Sequence, residues 1–220
     1  RLLIGLFLFP IGIVMTINAN LGLSSWDVLH QGMSVSIGSV TMGQASIIVG
    51  AVLITTASFF GERLGWGTLA NIIIIGLFLD FLLYHQLIPT FTGFIPRFLM
   101  LIAGVWVMAV GTYFYMSAEL GSGARDSLMV ALRKKTKKSV RFIRITMEAI
   151  ATVIGIILGG TVGLGTVIMV VGFGYCLQLV FKLFRFDISK IQHRFIDHDI
   201  KALYHWMKER KNKPDCSHHS

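Results

Sequence analysis

Charge is what this sequence has least of. Asp, Glu, Lys and Arg together make up 14% of its 220 residues, against about 25% in a typical soluble chain. That is too little to cover a water-facing surface, and it excludes a soluble globular enzyme, a disordered protein and a charged coiled coil. Cysteine is also scarce. Cys176 lies in an apolar run and Cys216 near the end, so neither a disulfide framework nor a cysteine metal site is expected. Catalytic patterns are missing as well. The glycine-rich stretch 159–166 lacks the Gly-Lys-Ser/Thr of a phosphate loop, and neither Gly-x-Ser-x-Gly nor His-Glu-x-x-His occurs. His193, Asp197, His198 and His205 form no recognised ligand set. Nothing in the sequence brings two of Asp27, Asp80 and Asp126 together as a catalytic dyad. No enzyme activity, cofactor or metal is therefore expected.

Apolar sequence is what remains. Hydrophobic residues make up 54% of the chain and mean hydropathy is +0.71. Uncharged runs occupy Leu2–Asn20, Gln44–Gly61, Leu64–Leu79, Phe98–Ala118 and Ala149–Phe181. About 20 apolar residues cross a bilayer. The first run is long for a signal peptide and Ile17–Asn20 lacks a small-x-small cleavage pattern, so it reads as a retained helix. The last is too long for one helix and divides at Gly159-Gly160-Thr161-Val162-Gly163. The expectation is an all-α polytopic membrane protein with six spans, near 2–19, 43–60, 66–85, 98–117, 142–159 and 164–183. Five spans plus a re-entrant segment is the alternative.

The 20 Lys and Arg are unevenly placed. All but Arg97 sit at Arg1, at Arg63, between Arg125 and Arg144, or after Phe181. Six spans put those segments on one side, which the positive-inside rule makes cytoplasmic, with both termini. The same clustering argues against nucleic-acid binding.

Internal repetition carries more information. A shift of 99 places Gly5 on Gly104, Gly12 on Gly111, Leu21-Gly22 on Leu120-Gly121, Asp27 on Asp126 and Leu29 on Leu128. A shift of 98 places Gly65–Thr68 on Gly163–Thr166, Gly76 on Gly174 and Asp80 on Gln178. The expected units are a first membrane repeat over 1–97, a second over 98–185, and a tail over 186–220. Three spans per half is an odd number, so the second half is expected upside down, an architecture common among secondary transporters.

Two segments are neither spans nor plain loops. Leu21–Gly38 and its twin Leu120–Arg133 open with Gly and Ser and then become helix-like. They could be broken helices whose N-termini meet an anionic group between the halves, or amphipathic helices lying on the membrane surface. Arg144 and Glu148 are i,i+4 neighbours in the fifth span. Asp80 and Gln178 each follow a glycine by four residues. Intramembrane charges usually face a bundle interior or aqueous cavity. The expected solute or ion path is therefore Asp27, Asp80, Arg125, Asp126, Arg144, Glu148 and Gln178. Glu148 and Asp80 are its candidate proton or cation carriers and Arg125 its anion contact. Gln44 and Asn71 are expected to bond between helices. The tail repeats Ile188, Ile191, Phe195, then Ile196, Ile200, Leu203 and Met207 at helical spacing among Lys, Arg, His and Asp, as a basic amphipathic helix held partly by anionic lipid would.

These words resemble the YczE/YyaS/YitT group of bacterial integral membrane proteins, particularly its YczE-like branch. They are Ala19–Gly22 with Ser25–Gly32; Gly65–Thr68 with Asn71 and Gly76–Asp80; Leu120-Gly121 with Gly123 and Arg125-Asp126; Arg144 with Glu148; and Leu158–Thr166 with Gln178. The likeness covers about residues 1–185. Ser25 and Ala124 stand where family members often carry proline. The resemblance implies a bacterial inner membrane and a transporter-like fold. The expected function is secondary transport or export of a small solute; the alternative is a non-transporting accessory or regulatory membrane protein.

Overall fold

The computed structural model describes residues 1–62, 65–118 and 123–186. Among them are eight α-helices and no strand. They are α1 (Leu2–Ala19), α2 (Ser25–Ile37), α3 (Met42–Phe59), α4 (Trp66–Tyr84), α5 (Phe94–Met116), α6 (Ala124–Thr136), α7 (Val140–Ile157) and α8 (Leu164–Leu183). Five of these, α1, α3, α4, α5 and α8, are long and apolar enough to cross a membrane, so the chain is a multi-pass membrane protein. The sixth expected span coincides with α7, which has the length but carries Arg141, Arg144 and Glu148. The two ambiguous segments form α2 and α6, each 13 residues, about 20 Å at 1.5 Å per residue and too short to span. The expected basic tail lies, from Asp187 on, outside the described residues.

Helix ends are fixed by local chemistry. Ser24 caps α2, its hydroxyl accepting from the Asp27 amide at 3.3 Å. Thr41 and Gln44 cap α3 reciprocally, with the Gln44 amide to the Thr41 hydroxyl at 3.2 Å and the Thr41 amide to Gln44 Oε1 at 3.1 Å. Gln44 is therefore a local cap, not the interhelical partner expected of it. Arg97, the basic residue outside those clusters, caps α1. Its Nε donates to the Ala19 carbonyl at 2.7 Å, and its terminal nitrogen donates to the Asn20 carbonyl. A guanidinium meeting the negative end of a helix dipole accounts for that exception.

Packing rests on small residues. Lipid removes the hydrophobic drive between membrane helices, so close backbone approach has to supply the attraction. Helices α1 and α5 cross antiparallel through Gly5 beside Gly111 and Gly12 beside Gly104. A Cβ at Gly5 or Gly12 would stand 2.7 Å from the facing carbonyl oxygen. Helix α2 lies on α7, with Gly155 against the backbone of Val28 and Leu29, and Gly32 against the Gly155 carbonyl. Helix α6 lies on α3 through Ala57, Leu128 and Ala131. Helix α4 joins α1 and α3, and α8 joins α5.

Gly12→Leu drives a side chain into the Gly104 and Met108 backbone and is expected to destabilise the fold by about 3 kcal/mol. Gly174→Ala, where a Cβ would meet nothing within 4 Å, is expected to be neutral. Thermal melting of the detergent-solubilised chain, followed by size-exclusion chromatography, checks both.

Candidate functional site

The N-termini of α2 and α6 meet inside the bundle. Trp26 and Arg125, the second residue of each helix, stack with the guanidinium 4.9 Å from the indole centroid. Each helix carries an acid one residue later, Asp27 or Asp126, where the positive end of the helix dipole stabilises negative charge. Both N-termini line one cavity of about 450 Å³, within the size range of small-molecule sites. Its polar wall includes Ser24, Trp26, His30, Arg125, Arg144 and Glu148. Met108, Met147, Met169, Phe173 and Phe181 supply apolar surface.

Arg125 is half-buried. Asp27, Asp126, Glu148 and Tyr115 all lie within electrostatic range of it. Its guanidinium lies over the Trp26 ring face. Arg144 Nε and Glu148 Oε1 form an ion pair at 3.0 Å along α7. Asp27 is buried beside the cavity and holds the Ser24 hydroxyl through Oδ2. Its other oxygen faces His30 Nδ1 at 3.7 Å. That is too long for a hydrogen bond, and both atoms are buried without a partner. Groups of this kind are costly to leave unpaired in a low-dielectric interior.

The structure thus gathers Arg125, Asp126, Arg144 and Glu148 around the cavity, with Asp27 directly behind it. It does not bring Asp80 or Gln178 there. Asp80 binds the start of α3, accepting from the Gly43 amide at 2.7 Å and the Thr41 hydroxyl at 2.5 Å. That is helix capping. Gln178 is exposed on α8, off the Val170, Phe173, Leu177 and Phe181 face that lines the cavity. Asn71 lines the cavity. Sequence reasoning missed Trp26 and His30. The signal for Trp26 was its place at offset 99 from Arg125; that for His30 was its i,i+4 spacing from Trp26, which puts both on one face of α2.

Comparison with known proteins decides the family, whose profile matches residues 1–182. The chain belongs to DUF6198, a family of unknown function. This DUF6198 member is similar to the "Uncharacterized membrane protein YczE" of Bacillus subtilis (strain 168). Identity is 33% over 178 residues, covering 79% of this chain and 80% of that protein. An "Uncharacterized protein" of Haemophilus influenzae (strain ATCC 51907 / DSM 11121 / KW20 / Rd) is 30% identical over 192 residues, 87% of this chain and 85% of the other. The Bacillus subtilis (strain 168) "Uncharacterized protein YyaS" is 26% identical over 172 residues, 76% and 84% of the two chains. No solved structure matches the chain significantly. The YczE-like resemblance is thereby upheld, and the cavity residues fall within the span the family covers.

Asp80→Ala removes the acceptor for two groups at the start of α3 and is expected to cost about 1–2 kcal/mol. Gln178→Ala, at an exposed position, is expected to stay within about 0.5 kcal/mol of the parent. Melting temperatures of the two purified variants separate these roles.

Proposed function

We propose that this protein is a secondary transporter of a small solute, built as two inverted repeats, with the cavity between α2, α6 and α7 as its solute site. The observation that carries the reading is the meeting of two short-helix N-termini, with Trp26 on Arg125, inside a chain of membrane-spanning helices. Broken or short helices aimed at a shared central site are the means by which many transporters bind solutes.

The packing supports the inversion. Exchanging each helix of 1–97 for its counterpart turns the α1·α4 contact into α5·α8, α2·α7 into α6·α3, and α2·α3 into α6·α7, and each of these contacts is present. Gly5 beside Gly111 becomes Gly104 beside Gly12. Gly155 with Gly32 becomes Ala57 with Ala131, small residues again. Helices α1 and α5, which match at offset 99, run antiparallel, as a flipped copy requires. On this reading α7 is the sixth span. Its Arg144 and Glu148 face the cavity, where water lowers the cost of charge in the membrane. The basic connections lie on the cytoplasmic side of a bacterial inner membrane, and anionic lipid holds the basic tail.

Within the site, Arg125 is the anion contact and Glu148, paired with Arg144, the exchangeable cation or proton partner. His30 on the cavity wall and Asp27 behind it are a second set of protonatable groups.

Reconstituted proteoliposomes offered an isotopically labelled bacterial metabolite extract test the reading, with mass spectrometry of the lumen as readout. At least one solute is expected to accumulate with the parent chain. Its uptake is expected to fall by at least tenfold with Arg125→Ala or Glu148→Gln, at unchanged protein abundance. Absence of uptake by any solute, with both substitutions only reducing folded protein, would favour a non-transporting accessory role.

A further inference from the structure

The two halves differ at one seam. Helices α3 and α4 touch through Gly43, Gly50 and Gly76, with the Gly43 and Gly76 backbones in direct approach and Gly50 closed over by Ile72. At offset 98 these positions become Arg141, Glu148 and Gly174. Two of the three small residues are now long and charged, and backbones carrying them cannot approach as closely. The third glycine survives without its contact, since a Cβ at Gly174 would meet nothing within 4 Å. Packing of α7 on α8 is correspondingly absent from the helix pairs that hold the bundle, and α7 is held by α2 instead. The cavity runs into this opening, between Arg144, Met147 and Glu148 on α7 and Val170, Phe173, Leu177 and Phe181 on α8.

We infer that the α7–α8 seam is a lateral door to the bilayer, and that the solute is a single-chain amphiphile with a zwitterionic head. The inference rests on the transport reading and narrows its substrate class. The chemistry of the cavity wall argues for both parts of such a molecule. On the polar wall, Arg125 and Arg144 stand among Asp126 and Glu148. A purely anionic head would meet two acids and a purely cationic head two guanidiniums. A head bearing both signs pairs with each. On the facing α8 wall, Val170, Phe173, Leu177 and Phe181 offer apolar surface for a chain, with Met147 of α7 beside them in the lining. A cavity of about 450 Å³ takes the head and the start of that chain, and the open seam lets the remainder stay in lipid.

The test uses the full chain in phosphatidylglycerol nanodiscs and a lysophosphatidylethanolamine with a diazirine on its chain. After illumination, adducts are expected on Met147, Phe173 or Leu177. Unlabelled lysophosphatidylethanolamine should compete at least tenfold better than lysophosphatidylglycerol. Gly174→Phe and Val170→Trp, each checked for an unchanged melting temperature, should cut seam labelling at least tenfold by filling the opening. Adducts spread evenly over the outer apolar faces would overturn the inference in favour of annular lipid. Equal competition by the anionic amphiphile would overturn the zwitterionic head. A Gly174→Cys chain that crosslinks in full to a second copy, with no seam adduct, would show that another protomer closes the gap. Uptake of a water-soluble solute that survives Gly174→Phe would sink the door and leave transport standing. Seam labelling without transfer of the amphiphile between vesicles would sink transport and leave the binding site.

Discussion

Backbone contact between α1 and α5 sets the geometry on which the rest of the molecule depends. Gly5, Gly12, Gly104 and Gly111 let the two helices come closer than any side chain would allow, in a solvent where apolar surface alone gives helices no reason to associate. The chain that leaves α1 then turns at Asn20, in a left-handed conformation (φ 48°), and at Gly22 (φ 121°). There Leu21 accepts from the Gly165 amide at 2.7 Å. Gly22 lies so close to Gly163 that a Cβ on it would stand 2.6 Å from the Gly163 amide nitrogen. A Leu-Gly word of the first half is thus fastened to the Gly-x-Gly-Thr word of the second. That contact delivers Ser24 and the start of α2 to the bundle interior.

Charge inside the bundle is the second constraint, and the chain meets it by mutual neighbours instead of by removal. Arg125 lies against the Trp26 ring with three acids in range, and Arg144 is bound to Glu148. Asp27 and His30 are the exception, because each keeps an unpaired buried atom toward the other. Replacing buried charges by an apolar core of the same volume is often neutral or stabilising. The retained charges therefore point to a role beyond packing, which the transport proposal supplies.

Much of this was legible in the sequence. The five apolar helices and the two short ones followed from run length and from the Gly/Ser openings, because apolar length and capping chemistry are local properties. Four of the seven expected path residues line one cavity for a related reason: Arg125, Asp126, Arg144 and Glu148 are expensive in a membrane unless they face such a space. Asp80 lies apart from them, against the start of α3. A carboxylate that caps a neighbouring helix and one that lines a path have the same sequence signature, and the Gly43 amide beside Asp80 reveals the cap. His30 was missed because a lone histidine carries no motif, and its burial beside Asp27 depends on the packing of α2 in the bundle. The Ser25 and Ala124 departures from the family's prolines also become intelligible. Both residues are the first of their helices, where proline is tolerated because that amide has no partner within the helix. Another residue there forfeits no helical bond.

The central claim is that equivalent positions of the two halves face opposite sides of the membrane. Ser39, after α2, and Lys138, after α6, are matched at offset 99 and both exposed. In a chain with Cys176 and Cys216 replaced, single cysteines at 39 and 138 can be reacted in intact cells with a membrane-impermeant maleimide. The account predicts labelling at 39 from outside and at 138 only after the membrane is permeabilised. Equal labelling of both from outside would contradict it.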